Sequence, residues 1–348
     1  MNAARRKNLD WSAARRLLAP GASVIVTTHH SIDGDAIGSE LALADYLGQI
    51  GIAARIINQD PVPRIYRFLD EAGRARAFTE TDRELVLEAD VIFVVDVSAL
   101  DRLGSPADAI RASRARRVCI DHHATNDGIG DVDLIDPAAA AAGVLVHQMI
   151  RALGGTVTPA MARSLFVAVA TDTGWFRFPN ASPGVFELAA ELIRCGADQA
   201  DIYGRIYEQL RRERLDLLGR GLATLRSAAG GRILWMVLTR EMFEQTGADD
   251  EDVEGLVDFL RTIGGVEIAL LFREAPDGKV RVSLRAKGDA DVGRLAAQFG
   301  GGGHSRSAGI RIPGALADVA AKVVAAAVNI LSAAEGKAPA HDRQGPRR

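Results

Sequence analysis

The stretch Thr27 to Ser39, TTHHSIDGDAIGS, closes an apolar run with His29 and His30 and follows at once with Asp33 and Asp35. Three other apolar runs stop in the same manner. Asp96 ends VIFVVD, Asp121 with His122 and His123 ends RVCIDHH, and Asp172 ends VAVATD. Imidazoles and carboxylates without thiolates suit hard-to-borderline divalent ions, Mn²⁺ in particular with Mg²⁺ or Co²⁺ as substitutes, and argue against structural zinc or iron–sulfur sites. His29, Asp33, Asp35, Asp96, His122 and Asp172 exceed the need of one ion. Two ions about 3.5–4 Å apart, bridged by a carboxylate, are the usual device for in-line attack on phosphorus.

Such residues meet only if the elements carrying them share one rim. From residue 9 to about 190, β-rich runs (SVIVTTH, AARIIN, VIFVVDV, RVCIDHH) alternate with helical periodicity, as in AIGSELALADYLGQIG before Gly51. This predicts an α/β domain with a doubly wound, mostly parallel sheet covered on both faces. Ligands bind beyond the carboxyl ends of such strands, where these side chains would converge. Gly34 is expected to allow a tight turn between Asp33 and Asp35, with the following helix directing free N–H groups at an anion.

Residues 191–230 read as a helical linker, dense in Arg and Leu, and AAGGR marks its end. A smaller α/β domain is expected over 231–332, with strand-like runs ILWMVLT, EIALLFRE and KVRVSLRAKG. In the last, Val280, Val282 and Leu284 alternate with Arg281, Ser283 and Arg285, so one face is apolar and the other cationic. A short helix over Asp291–Phe299 precedes the glycine run, and the polar residues 333–348 are expected to be disordered. No internal repeat is evident.

At 348 residues and 48% apolar content, the chain suits two domains. Its net charge of -3 speaks against a broad surface for long duplex nucleic acid. Cys119 and Cys195 make no CxxC pair or disulfide framework, which suits a reducing compartment, the cytoplasm by default. The first residues lack a signal-peptide pattern, and Asp318 and Lys322 interrupt the longest aliphatic stretch, which reads as a helix outside any membrane.

Taken together, His29-x-x-x-Asp33-x-Asp35, Asp96, Asp121-His122-His123, Asp172 and FGGGGH at Phe299–His304 resemble the DHH/DHHA1 phosphoesterase family, in its stand-alone bacterial nanoRNase and pAp phosphatase form. The resemblance covers most of Leu9 to about Leu331. It implies a manganese-dependent hydrolase of two-to-five-nucleotide RNAs and of 3′-phosphoadenosine 5′-phosphate (pAp), with a cleft between a catalytic and a substrate-capturing domain. It also implies that His29, Asp33 and Asp96 hold one ion, and that Asp35, Asp96, His122 and Asp172 hold another. His123 would act at the scissile phosphate, and Asp121 would orient an imidazole. Arg285 with Gly301, Gly302, Gly303 and His304 would grip the substrate's far end. A homodimer follows by family analogy. The chain departs from the family at Ser31-Ile32, where Asn-Pro is common, at Ser307, where Ala is usual, and near Gly143, where a Glu is expected.

Each motif has a plainer reading alone: a polar loop for His29 to Asp35, a helix cap for Asp96, a turn for Asp172, a flexible loop for the glycines and a solvated strand face for Arg285. His147 reads as structural and His341 belongs to the tail. Five of the seven histidines nonetheless fall inside the proposed motifs. The rival readings are hydrolysis of cyclic di-AMP or its linear product pApA, and a non-catalytic nucleotide- or RNA-binding module.

Overall fold

A strand with no solvated face favours apolar side chains throughout, and the central runs of this chain are apolar but for Thr27: VIVT and VIFVV are buried at every residue. The computed structural model describes residues 9–126 and 128–335. The chain divides into two units after Gln209.

In the first unit, strands β1 (Val24–Thr27), β2 (Ala54–Asn58), β3 (Ala75–Ala77), β4 (Val91–Val95), β5 (Arg116–Asp121) and β6 (Val132–Ile135) form one sheet in the order β3-β2-β1-β4-β5-β6. Every pairing is parallel. The helices are α1 (Trp11–Arg16), α2 (Gly34–Gln49), α3 (Arg83–Leu87), α4 (Pro106–Ala112), α5 (Ala142–Ala152), α6 (Pro159–Asp172), α7 (Pro183–Arg194) and α8 (Gln199–Tyr207). Alternate strand residues serve opposite faces. Val24, Val26, Phe93 and Val95 join the core built with α2, α5 and α6, whereas Ile25, Ile92 and Val94 join the core built with α3 and α4. The doubly wound expectation therefore holds, and strand order reverses between β1 and β4, where a parallel sheet opens its binding crevice.

The contact of α2 with α6 depends on two missing side chains. A Cβ on Gly34 would meet Thr171 Oγ1 at 2.5 Å, and one on Gly38 would meet the Ser164 carbonyl oxygen at 2.3 Å. Gly34 is the first residue of α2 and has no left-handed backbone conformation. Its role is close helix packing, which corrects the expectation of a tight turn.

In the second unit, β7 (Arg226–Ala228), β8 (Ile233–Leu238), β9 (Ile268–Glu274), β10 (Lys279–Ala286), β11 (Gly302–His304) and β12 (Ser307–Pro313) form a sheet in the order β11-β12-β10-β9-β8-β7. Only β8 and β9 are parallel, and the crossover joining them carries α10 (Arg240–Thr246) and α11 (Leu256–Arg261). The other helices are α9 (Arg212–Ala223), α12 (Val292–Ala297) and α13 (Leu316–Glu335). Leu270 and Phe272 pack toward α12 and α13, while Ala269 and Leu271 pack toward α9 and α11.

Three expectations need correction. Residues 191–230 are not one linking helix: Ile202 and Ile206 of α8 join the first unit's core, and Leu217 and Leu218 of α9 join the second's. Two apolar faces with different partners require two helices. The glycine run is not wholly a loop, because Gly302 and Gly303 pair with Gly309 and Ala308. A Cβ on Gly301 would lie 2.2 Å from the Gly309 carbonyl oxygen, so bare backbone lets the chain lie that close. Residues 333–335 of the expected disordered tail belong to α13, and residues 336–348 lie outside the described residues. Among the described residues, no helix is long and apolar enough to cross a membrane.

Replacing Gly38 by Val inserts a branched side chain against the backbone of α6, and overpacking of this kind costs about 1–3 kcal/mol. Thermal denaturation should show a Tm several degrees below wild type, and an unchanged Tm would contradict the α2–α6 contact.

Candidate metal centre

Both adjacent histidines are held by carbonyls, but they serve different surroundings. His30 Nδ1 lies 2.7 Å from the Arg102 carbonyl oxygen on an exposed loop. His29 is buried, with Nδ1 2.8 Å from the His30 carbonyl oxygen. A carbonyl accepts only from an N–H, so this contact keeps a proton on Nδ1 and makes Nε2 the nitrogen that can turn its lone pair to a cation once its own proton is shed. His29 Nε2 lies 3.3 Å from Asp96 Oδ2 and 3.8 Å from Asp33 Oδ2. His122 repeats the device: Nδ1 faces the Ala139 carbonyl oxygen at 3.3 Å, and Nε2 lies 3.4 Å from Asp96 Oδ1, 3.6 Å from Asp172 Oδ2 and 3.7 Å from Asp35 Oδ2.

The carboxylates are held as firmly. Asp33 caps α2, with Oδ1 accepting from the Ala36 amide at 3.0 Å, and keeps Oδ2 toward His29. Asp35 accepts from the Ala142 and Gly143 amides at 2.6 and 2.9 Å and from Ser39 Oγ at 3.1 Å. It thus satisfies the open N-terminus of α5. A Cβ on Gly143 would lie 2.6 Å from Ala168 Cβ, so α5 and α6 meet where this chain carries no side chain. Asp96 follows β4 with φ 59° and is buried, and its Oδ1 has no well-formed hydrogen bond. Asp172 ends α6, where Asn180 Nδ2 binds its carbonyl oxygen at 3.1 Å. Asp121 accepts from His123 Nδ1 at 2.7 Å and from Asn126 Nδ2 at 2.7 Å.

Three overlapping groups of ligand atoms result: His29, Asp33 and Asp96; Asp35, His122 and Asp172; and Asp96, His122 and His123, all atoms of each group lying within 4.8 Å of one another. The unsatisfied Asp96 oxygen and the two lone pairs aimed inward make this donor set suited to divalent cations. The structure brings together every expected residue of the first unit. Arg285 and Gly301–His304 belong to the second unit, where Arg285 Nε lies 3.6 Å from Asp258 Oδ2.

Sequence reading missed the support beneath the centre. Asn58 Nδ2 donates to Glu40 Oε2 at 2.8 Å, Asn58 Oδ1 accepts from the Thr28 amide at 3.0 Å, and Thr28 Oγ1 donates to the Val95 carbonyl oxygen at 2.8 Å. This chain ties α2 to the residues preceding His29 and Asp96. Burial pushes Glu40 up to about 8, against the lowering effect of Asn58. The available signal was an acidic residue amid the apolar positions of ELALADYLG.

Charge in the centre is balanced by protons. Burial raises Asp35 well above its ordinary value, and the charges of Asp96 and Asp172 add to the effect. Asp172 is pushed up to about 7, chiefly by burial and then by Asp96 and Asp33 against the lowering effect of His122. Burial disfavours the charged forms of His29 and His122, but Asp96 and the neighbouring carboxylates outweigh it, raising them to about 9 and about 10. Burial opposes ionisation of Asp96 too, and the flanking imidazoles reverse that and hold it below the usual range.

A raised carboxyl or imidazole value means that the folded state binds more protons than the unfolded chain between the two values. Stability is then lost as pH rises through that window, from about 4 to 7 for Asp172 and from about 6.5 to 10 for the histidines. In EDTA, Tm is therefore expected to fall between pH 6 and 9. Mn²⁺ should raise Tm more at pH 8 than at pH 6, because ligands must shed protons to bind a cation. Calorimetry in buffers of different ionisation enthalpy should register proton release on metal uptake, and uptake independent of pH would refute the assignment.

Comparison with known proteins accords with the two-unit reading. The DHH family, N-terminal domain, matches residues 23–170, and the DHHA1 domain matches residues 231–333. The bifunctional oligoribonuclease and PAP phosphatase NrnA of Thermus thermophilus is 32% identical over 316 residues, 90% of this chain and 92% of that protein. The protein of that name from Bacillus subtilis is 24% identical over 83% of this chain and 89% of its own length. An exopolyphosphatase-related protein from Bacteroides fragilis superposes with a TM-score of 0.88 at 26% identity, covering 94% of this chain and 97% of that one. Both family regions occur in order along one chain that a relative matches almost end to end, and the chain belongs to the DHH family in its form with a DHHA1 domain.

Proposed function

We propose that this chain is a Mn²⁺-dependent phosphohydrolase that degrades oligoribonucleotides of two to five nucleotides to mononucleotides and dephosphorylates pAp to AMP. The observation that carries the reading is the convergence of His29, Asp33, Asp35, Asp96, His122 and Asp172 on one rim. The substrate class is supported by the names of the Thermus thermophilus and Bacillus subtilis relatives.

In this reading His29, Asp33 and Asp96 would hold one cation, and Asp35, Asp96, His122 and Asp172 would hold the second. Bound divalent cations offset charge developing at phosphorus and make water more acidic. A water oxygen bonds to phosphorus as the P–O ester bond breaks, and a proton reaches the departing oxygen. His123, oriented by Asp121, stabilises charge on the phosphate or assists that oxygen. Arg285 and the Gly301–His304 segment bind the remainder of the substrate.

His122→Ala is the cleaner test residue, since Asp35 also caps α5. Loss of the ligand should lower kcat by more than about a hundredfold, the upper range for residues that merely support ligands; Tm in EDTA should fall near neutral pH, because Asp35, Asp96 and Asp172 lose the imidazole facing them, and far-UV circular dichroism below that Tm should match wild type. Purified protein with Mn²⁺ is given matched pAp, di- to pentaribonucleotides, a 24-mer, cyclic di-AMP and pyrophosphate. Rapid loss of pAp and the short RNAs alone is expected. Selective opening of cyclic di-AMP, or an active His122→Ala enzyme, would overturn the reading.

A further inference from the structure

Alternate residues of β10 and β12 face away from the core formed with α12 and α13. Val280, Val282 and Leu284 are buried with Ala308 and Ile310, which leaves Lys279, Arg281, Ser283 and Arg285 beside Ser307, Gly309 and Arg311 on the opposite face. Register places Arg281 opposite Arg311, Ser283 opposite Gly309, and Gly309 opposite Gly302 of β11. The middle row is a floor of small residues, and a Cβ on Gly302 would meet nothing within 4 Å.

Cations stand at both ends of this floor. Arg285 lies at one end and Arg281 with Arg311 at the other, four residues and so about 14 Å along the strand. Arg273 of β9 pairs in register with Arg281. Like charges directly across strands are unfavourable, so a row of three arginines requires compensation. Asp250 reaches Arg273 at 2.6 Å and Arg281 at 3.5 Å, and Asp277 reaches Arg311 at 3.0 Å. Two carboxylates thus serve three guanidiniums, and the Arg281 and Arg311 side chains keep 37% and 50% exposure.

We propose that Arg281 and Arg311 form an outer phosphate anchor, beyond Arg285, for the backbone of a bound oligonucleotide, favouring RNAs of three or more nucleotides over dinucleotides and pAp. A planar guanidinium matches phosphate oxygens two at a time. The floor between the anchors is polar and open, which suits a sugar–phosphate chain better than an apolar peptide side chain. The length preference rests on the oligoribonuclease reading; the anchor itself does not.

The test uses the full chain in EDTA with fluorescent di- and pentaribonucleotides at several salt concentrations, and separately pAp hydrolysis in Mn²⁺. For Arg281→Ala/Arg311→Ala, pentamer affinity should fall about tenfold or more, and its log–log salt slope should shrink by roughly 1.4, two single-strand phosphate contacts. Dinucleotide binding, pAp turnover and Tm should stay at wild-type values, and Arg281→Lys/Arg311→Lys should recover most of the salt slope. Unchanged pentamer binding, equal losses for both lengths, or a wild type that fails to bind the pentamer without metal would each overturn the anchor. Arginine-dependent binding by a protein that hydrolyses none of these RNAs would instead refute the proposed activity and leave the anchor standing.

Discussion

Asp35, Asp96 and Asp172 place three carboxylates within 3.4–3.7 Å of one imidazole nitrogen, His122 Nε2. Two unit charges about 4 Å apart repel by about 4 kcal/mol at an effective dielectric constant of 20, and burial adds a desolvation cost. Folding must therefore supply positive charge at that point. Protons on His29 and His122, and raised carboxyl values at Asp35 and Asp172, supply it in the free protein. A divalent cation supplies the same charge more compactly, which makes metal affinity and the fold's pH dependence two consequences of one constraint.

Geometry that concentrates charge in this way needs rigid supports. Asp35 is held by the two leading amides of α5, and the histidine tautomers are set by backbone carbonyls. Asp96 occupies the left-handed region at φ 59°, a conformation that costs a non-glycine residue energy and persists only where its surroundings impose it. The surroundings here are the β4–β5 ladder and the bond from the Asp96 amide to the Ile120 carbonyl oxygen at 2.9 Å. Helices α2, α5 and α6 approach closely because Gly34, Gly38 and Gly143 have no side chains. Asp172 reaches Asp35 and His122 only through that approach.

The donor set was legible because each donor ends an apolar run or opens a helix, positions that a parallel sheet gathers at one rim. Strands of four or more residues with apolar continuity were legible for the same reason. The four edges were not: β3, β7 and β11 are three residues each, too short to show a period, and β6, VDLI, is interrupted by Asp133. The true roles of Gly34 and Gly38 lie in contacts with Thr171 and Ser164, more than a hundred residues away, which local sequence does not encode. The Glu40–Asn58 bond depends on how α2 packs beside β2, and the difference between His29 and His30 on which carbonyl each ring faces, that of His30 for the first and that of Arg102 for the second; the residue types alone specify neither.

Missing side chains serve different ends in the two units. In the first, Gly34, Gly38 and Gly143 bring helices together, so that a collision there displaces the carboxylates themselves. In the second, Gly301 and Gly303 let β11 lie against β12, while Gly302 and Gly309 leave the outer face of the hairpin bare. The metal-suited donors all belong to the first unit, and the cations of β10 and β12 all belong to the second. Among the described residues, the carboxylates facing Arg281 and Arg311 are Asp250 and Asp277, which belong to the same unit, so the charge of that face is offset within the second unit. Surface charge on the second sheet can then vary without disturbing the balance of protons and carboxylates on which the first unit rests.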